Sequence, residues 1–89
     1  MTTYTTTIHT PEIGKVRVRE ERRDRDRVNF QARFVQDTGR EFGAQMDALI
    51  SEGDENGKTG NTARQWAIAR VLGELIETVT REVPRVARL

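Results

Sequence analysis

VNFQARFVQDTGREFGAQM, residues 28–46, decides the fold of this 89-residue chain. Its first part alternates apolar and polar side chains, which is the period-two pattern of a strand with one buried face. The apolar members are Val28, Phe30, Ala32 and Phe34. Asp37, Thr38 and Gly39 follow as turn-forming residues, and Gly39 suits the left-handed position of a three-residue hairpin loop. The stretch therefore predicts a β-hairpin.

One register of this hairpin places all of its apolar residues on the same face. It sets Gln36 opposite Arg40, Phe34 opposite Phe42, Ala32 opposite Ala44 and Phe30 opposite Met46. Because successive side chains point to opposite faces, a slip by one residue would set Phe42 against a polar face. The sequence therefore specifies this register strongly.

A helix is the competing interpretation of residues 38–50. Thr38 and Glu41 have the spacing of a capping box, and apolar residues recur after them at helical intervals. Gly39 and Gly43 would lie in the first turns of this helix, where each glycine costs about 1 kcal/mol relative to alanine. The hairpin accounts for more residues at once and is preferred.

Two further strands are predicted before the hairpin. Residues 4–9 alternate and are rich in β-branched side chains, and residues 15–19 alternate valine with basic residues in a strand that runs on toward Arg22. Residues 10–14, TPEIG, read as the loop between them. The fourth strand, which is the second arm of the hairpin, should run from residue 40 to about residue 48.

The connection between the second and third strands contains the charged sequence RRDRDR, which predicts a solvated hairpin tip. A loop of three or five residues centred on Asp24 would pair Val18 with Phe30 and keep the apolar residues on one face. Glu20 would then lie opposite Val28, near the hairpin end and within reach of water.

A glycine-rich stretch and a helix complete the chain. Residues 51–61, SEGDENGKTGN, lack any apolar residue and predict a long, mobile, acidic loop. Thr62 and Gln65 can cap the helix that follows, Pro84 should end it, and residues 84–89 should form a frayed tail. The predicted apolar stripe is Ile68, Leu72, Leu75, Ile76, Val79 and Val83, with Ala69 on its flank.

The predicted architecture is a single α+β domain over residues 1–89. A four-stranded antiparallel meander sheet is followed by one long C-terminal helix packed across one face, in the order ββββα. We expect Phe30, Phe34 and Phe42 to be buried together beneath the helix, against its Leu72 and Ile76.

The bulk composition narrows the classes of function. The net charge is only +1, so total charge selects no partner. Cysteine is absent, which removes disulfides and thiol chemistry. No apolar run is long enough to cross a membrane and the first residues do not resemble a signal peptide, so we expect a cytoplasmic protein without membrane contact.

Residue patterns with catalytic or metal-binding chemistry are sparse. His9 is the only histidine and lies on a predicted edge strand, where a surface role is more common than catalysis. Asp54 and Asn56 begin like a calcium loop, but Lys58 stands at the third ligand position and Thr59 replaces the required glycine. The sequence predicts no enzyme, catalytic residue, metal, cofactor or small-molecule substrate.

The outer face of the predicted sheet is rich in basic and amide side chains. The residues that we call the basic sheet face are Lys15, Arg17, Arg19, Asn29, Gln31 and Arg33. Such side chains reach phosphates and base edges, and a sheet can enter the major groove of DNA. A solvated antiparallel sheet face is the simpler explanation of the same residues.

A short resemblance bears on this face. Residues 38–43, TGREFG, resemble the hairpin segment of the arm-binding domain of tyrosine integrases. That family has a three-stranded sheet backed by a helix and reads DNA with the sheet, so the resemblance implies DNA binding. It covers six residues, and this chain has an additional strand and an acidic insertion. No binding residue is carried over from the family.

The outer face of the predicted helix carries the only tryptophan. The residues that we call the Trp66 surface are Trp66, Ala69, Arg70, Gly73 and Glu77. A large aromatic ring beside small side chains suits a helix–protein contact, although the glycine-rich loop could instead fold back over the ring.

Two hypotheses of function follow from these surfaces. The leading one is a small non-enzymatic protein-binding or regulatory domain that forms a homodimer through the Trp66 surface. A regulator, an assembly factor and a viral inhibitor of host machinery all fit that description. The alternative is a DNA-binding domain that uses the basic sheet face.

Overall fold

The computed structural model describes residues 3–55 and 57–83 and has the predicted ββββα architecture. The strands β1 (Thr3–Thr10), β2 (Gly14–Arg22), β3 (Arg27–Val35) and β4 (Glu41–Leu49) form one antiparallel sheet in the order β1-β2-β3-β4. A 3-10 helix (Glu52–Asp54) and the long helix α1 (Lys58–Glu82) follow. The tail predicted at residues 84–89 lies outside the described residues. No helix within them is long and apolar enough to cross a membrane.

The hairpin of β3 and β4 has the predicted register. Phe34 lies opposite Phe42 and Phe30 lies opposite Met46. The backbone N–H of Gln36 donates to the carbonyl of Arg40 at 2.8 Å, which closes the three-residue loop. Gly39 has a φ of +91°, a conformation that residues with a Cβ rarely adopt. The helical interpretation of residues 38–50 is therefore wrong.

The predicted register of β2 and β3 is wrong by two residues. Val18 lies opposite Ala32, and Glu20 lies opposite Phe30. The cause is the turn, in which the N–H groups of Asp26 and Arg27 both donate to the Asp24 carboxylate at 2.9 Å.

The same contacts shift the titration of Asp24. The Asp26 N–H, followed by the hydrogen bond from the Arg27 side chain, holds the pKa of the Asp24 carboxyl below its ordinary value. These interactions favour a loop over residues 23–26, whose centre lies later in the chain than the predicted centre at Asp24. A shift of two residues keeps every side chain on its predicted face, so the alternation pattern could not reveal the error.

Helix α1 begins at Lys58, four residues before the predicted cap at Thr62. The Thr62 hydroxyl donates to the carbonyl of Lys58 at 2.9 Å, as it does inside a helix, and caps nothing. Gly60 allows the early start, because a Cβ there would lie 2.0 Å from the carbonyl oxygen of Asp54. Residues 58–61 of the predicted loop are thus helical, and Glu52–Asp54 form the 3-10 helix.

The core lies between α1 and the inner face of the sheet. Phe30, Phe34 and Phe42 are buried as predicted, and the rings of Phe34 and Phe42 lie 6.3 Å apart. The helix positions with no exposed area are Ala67, Val71, Leu75 and Val79. The predicted partners Leu72 and Ile76 are only partly buried. Apolar residues cover a wide arc of this helix. Their spacing alone therefore predicted a buried stripe whose centre lies one position from the centre of the observed stripe.

Candidate functional site

The sheet brings the six residues of the basic sheet face onto one surface. β2 and β3 are its central strands, and their outward positions alternate with the core residues Val16, Val18, Phe30 and Ala32. Lys15, Arg17, Arg19 and Arg33 are exposed there, and Gln31 is half-buried. Asn29 lies on the same side of the sheet but is only 6% exposed.

The corrected register places Arg17 directly opposite Arg33. The predicted register would have set Arg17 opposite Gln31. Like charges that face each other on neighbouring strands destabilise a sheet. Within residues 3–55 and 57–83, neither of these arginines nor Lys15 forms an ion pair with a carboxylate. The centre of this face therefore carries positive charge that the described part of the chain does not neutralise.

An open depression of about 760 Å³ lies over this charge. Its lining combines guanidinium, amide and hydroxyl groups with the backbone of Gly43, which presents no side chain. The polar side chains that line it are Thr3, Thr5, Arg17, Arg19, Gln31, Arg33 and Gln45. The arginines and glutamines supply hydrogen-bond donors that match phosphate oxygens and the acceptor atoms of base edges.

Carboxylates border one end of the face. The Asn29 amide donates to the Asp47 carboxylate at 2.8 Å and accepts a bond from Gln31 at 2.8 Å. Arg19 lies 3.4 Å from the Glu21 carboxylate. Asn29 is therefore committed to neighbouring side chains and holds Gln31 in place, and Arg19 is partly neutralised. Lys15, Arg17 and Arg33 remain as the strongest candidates for binding an anion.

The five residues of the Trp66 surface lie exposed on one side of α1, away from its buried stripe. Trp66 is 57% exposed, and the guanidinium carbon of Arg70 lies 5.8 Å from its ring centroid. Apart from Gly73 itself, its two chain neighbours and the adjacent backbone of α1, no atom of the described residues lies within 4 Å of the position that a Cβ would take at Gly73. Within the described residues, the stretch before α1 does not cover the ring.

Sequence reasoning missed a polar cluster at one end of the inner sheet face. Glu20, which was predicted to reach water near the hairpin end, is instead buried, with 6% of its surface exposed. The Arg64 guanidinium donates to both of its carboxylate oxygens at 2.6 Å. This hydrogen bonding to Glu20 raises the pKa of Arg64 above its ordinary value. The pair fastens the first turns of α1 to β2.

Arg22 is the second buried charge of this cluster. It donates to the Glu55 carboxylate and to the carbonyls of Asp24 and Ile50, at 2.9 and 3.0 Å. It therefore joins the β2–β3 turn, the end of β4 and the segment before α1. Glu20 and Arg22 occupy core-facing positions in the alternation of β2, a signal that could have revealed their burial. Their partners lie far away in sequence, so nothing local could have identified the contacts.

Comparison with known proteins finds no family model, no curated protein and no solved structure that matches this chain.

Proposed function

We propose that this domain binds duplex DNA with the basic sheet face. The observation that carries the proposal is the pair Arg17 and Arg33, which lie opposite each other without a neutralising carboxylate in the described chain. Such a pair costs stability in the free protein and gains a favourable partner when a phosphate lies between the two guanidinium groups.

The composition of the face favours a duplex over a single strand. Proteins that hold single strands stack bases on aromatic side chains, and the outward positions of Thr3–Thr10, Gly14–Arg22, Arg27–Val35 and Glu41–Leu49 include no phenylalanine, tyrosine or tryptophan. Arginine can bind the guanine edge in the major groove and glutamine can bind the adenine edge. Gln31 and Gln45 lie in the same depression as the arginines. Phosphate contacts by the basic residues would position the sheet, and these amides would contact bases.

Fluorescence anisotropy with a labelled duplex tests this proposal by measuring how the affinity for DNA depends on salt concentration. If Lys15, Arg17 and Arg33 each neutralise one phosphate, log K falls with log salt at a slope of about −2.7. Affinity then drops roughly 40-fold between about 50 and 200 mM salt. A single strand of the same sequence should bind more weakly. An affinity that does not change over this range, or a preference for the single strand, would contradict the proposal.

A second candidate function is protein binding through the Trp66 surface, by a non-enzymatic regulatory or assembly domain. The observation that favours it is the exposure of the only tryptophan beside the open position at Gly73. Tryptophan and arginine are enriched among the residues that dominate binding energy, and Arg70 lies against the Trp66 ring. The partner could be another protein or a second copy of the chain.

Trp66 is its own probe, because no other tryptophan contributes to the emission. We expect emission typical of a water-exposed indole and efficient quenching by acrylamide in the isolated protein. If the Trp66 surface mediates self-association, rising protein concentration will shift the emission to shorter wavelength and reduce quenching. Adding duplex DNA should leave both quantities unchanged, because α1 lies on the opposite side of the sheet. Emission that is insensitive to concentration while the protein dimerises would exclude a homodimer through this surface.

A further inference from the structure

We infer that strand β1 pairs with β1 of a second copy, in an antiparallel arrangement that joins two sheets into one of eight strands. Among the residues that the structure describes, β1 is an edge of the sheet, since its only neighbour there is β2. It is eight residues long, and six of these residues are exposed. Its outer backbone N–H and C=O groups form an open row that another strand can bind.

β1 lacks the features by which edge strands avoid such pairing. The sequence TYTTTIHT contains no proline, lysine, arginine or carboxylate. The register with β2 runs without interruption from Thr3 to Thr10, so no bulge bends the edge away. The opposite edge differs, because β4 carries Glu41 and Asp47 and packs against α1. A long, regular and uncharged edge is the type that associates with another strand.

The sequence of β1 fits a second copy of itself. A two-fold axis at Thr6 would set Thr5 opposite Thr7 and Tyr4 opposite Ile8 of the other copy. Aromatic and β-branched residues form favourable cross-strand pairs, and no charge opposes the contact. Tyr4 is 57% exposed in the single chain and Ile8 is partly buried, so the pairing would cover a ring that is now open to solvent.

This symmetry has a consequence that rests on the proposed function. A two-fold axis perpendicular to the sheet keeps the outer faces of both copies on one side and both helices on the other. The two basic sheet faces would then form one continuous surface related by the axis. Such a surface would prefer duplex sites that share its two-fold symmetry. The dimer itself does not depend on DNA binding.

Charge substitution at Thr6 tests the interface by sedimentation. We expect the wild-type chain to be a dimer at micromolar concentration, and Thr6→Lys and Thr6→Glu each to be monomers, since like charges would meet on the axis. An equimolar mixture of the two variants should dimerise again. Gln45→Lys, a matched change on the β4 edge, should remain a dimer. A wild-type monomer, a dimeric Thr6→Lys, or a mixture that stays monomeric would overturn the inference.

A disulfide provides an independent measurement, because the chain contains no cysteine of its own. Directly opposed residues of antiparallel strands have Cα atoms about 4.5–5.5 Å apart, within the range that a disulfide spans. Thr6→Cys should therefore give a covalent dimer on oxidation, and Gln45→Cys should not. Equal cross-linking of the two variants would contradict pairing through β1. Dimerisation without DNA binding would leave this inference standing and remove only the proposed function.

Discussion

Replacing Phe30 by alanine is expected to lower the free energy of unfolding by about 3–5 kcal/mol. Phe30 has no exposed area and occupies a central strand between Glu20 and Met46. Truncation loses the transfer free energy of the ring and leaves a cavity under α1. Domains of this size have total stabilities of about 5–15 kcal/mol, so the variant should be largely unfolded in mild denaturant.

Urea unfolding followed by circular dichroism measures this effect. Val35→Ala is the matched control, because Val35 lies on the same strand with 54% of its surface exposed. Its stability should stay within about 0.5 kcal/mol of wild type. If Phe30→Ala unfolded at the same urea concentration as Val35→Ala, the placement of the core would be wrong.

Arg64→Met is expected to destabilise the domain by about 3 kcal/mol, because it leaves the Glu20 carboxylate buried without a partner. The lower end of the range for broken buried pairs applies, since the Arg64 side chain is 37% exposed and water can approach from its side. Arg70→Met removes the same charge from an exposed position of α1 and should change stability by less than about 0.5 kcal/mol.

The double variant Glu20→Leu with Arg64→Met distinguishes the stability contributed by the ion pair from the stability contributed by each side chain alone. Apolar side chains of similar size avoid the desolvation of both charges, so the double variant should recover most of the lost stability. Urea unfolding of the four proteins in this cycle gives the coupling free energy directly. A double variant as unstable as Arg64→Met alone would show that Arg64 stabilises the fold through contacts other than Glu20.

The accuracy of the sequence predictions depended on how many constraints acted on each element. The β3–β4 hairpin was predicted in register because the three-residue loop and the alternation of its apolar residues agree. For β2 and β3, the alternation of apolar and polar residues specifies only the sheet face on which each side chain lies. The turn contacts of Asp24 set the register of these two strands. The start of α1 depends on the close approach of Gly60 to Asp54, and no local sequence pattern predicts this contact.

The same distinction applies to the candidate sites. The alternation of side chains between the two faces of a strand was sufficient to predict one shared face for Lys15, Arg17, Arg19, Gln31 and Arg33. The opposition of Arg17 and Arg33 needed the register, and so it emerged only from the structure. Glu20 and Arg64 are separated by 44 positions, and their contact depends on how α1 crosses the sheet.

The most direct test of DNA binding by the basic sheet face is the salt slope of duplex affinity for Arg17→Gln with Arg33→Gln. The matched control is Arg70→Gln with Arg81→Gln, which removes the same charge from exposed positions of α1. We predict that the sheet variant weakens binding and reduces the magnitude of the slope by about two, and that the helix variant leaves the slope of wild type. Equal losses in the two variants, or no loss in the sheet variant, would contradict DNA binding through this face.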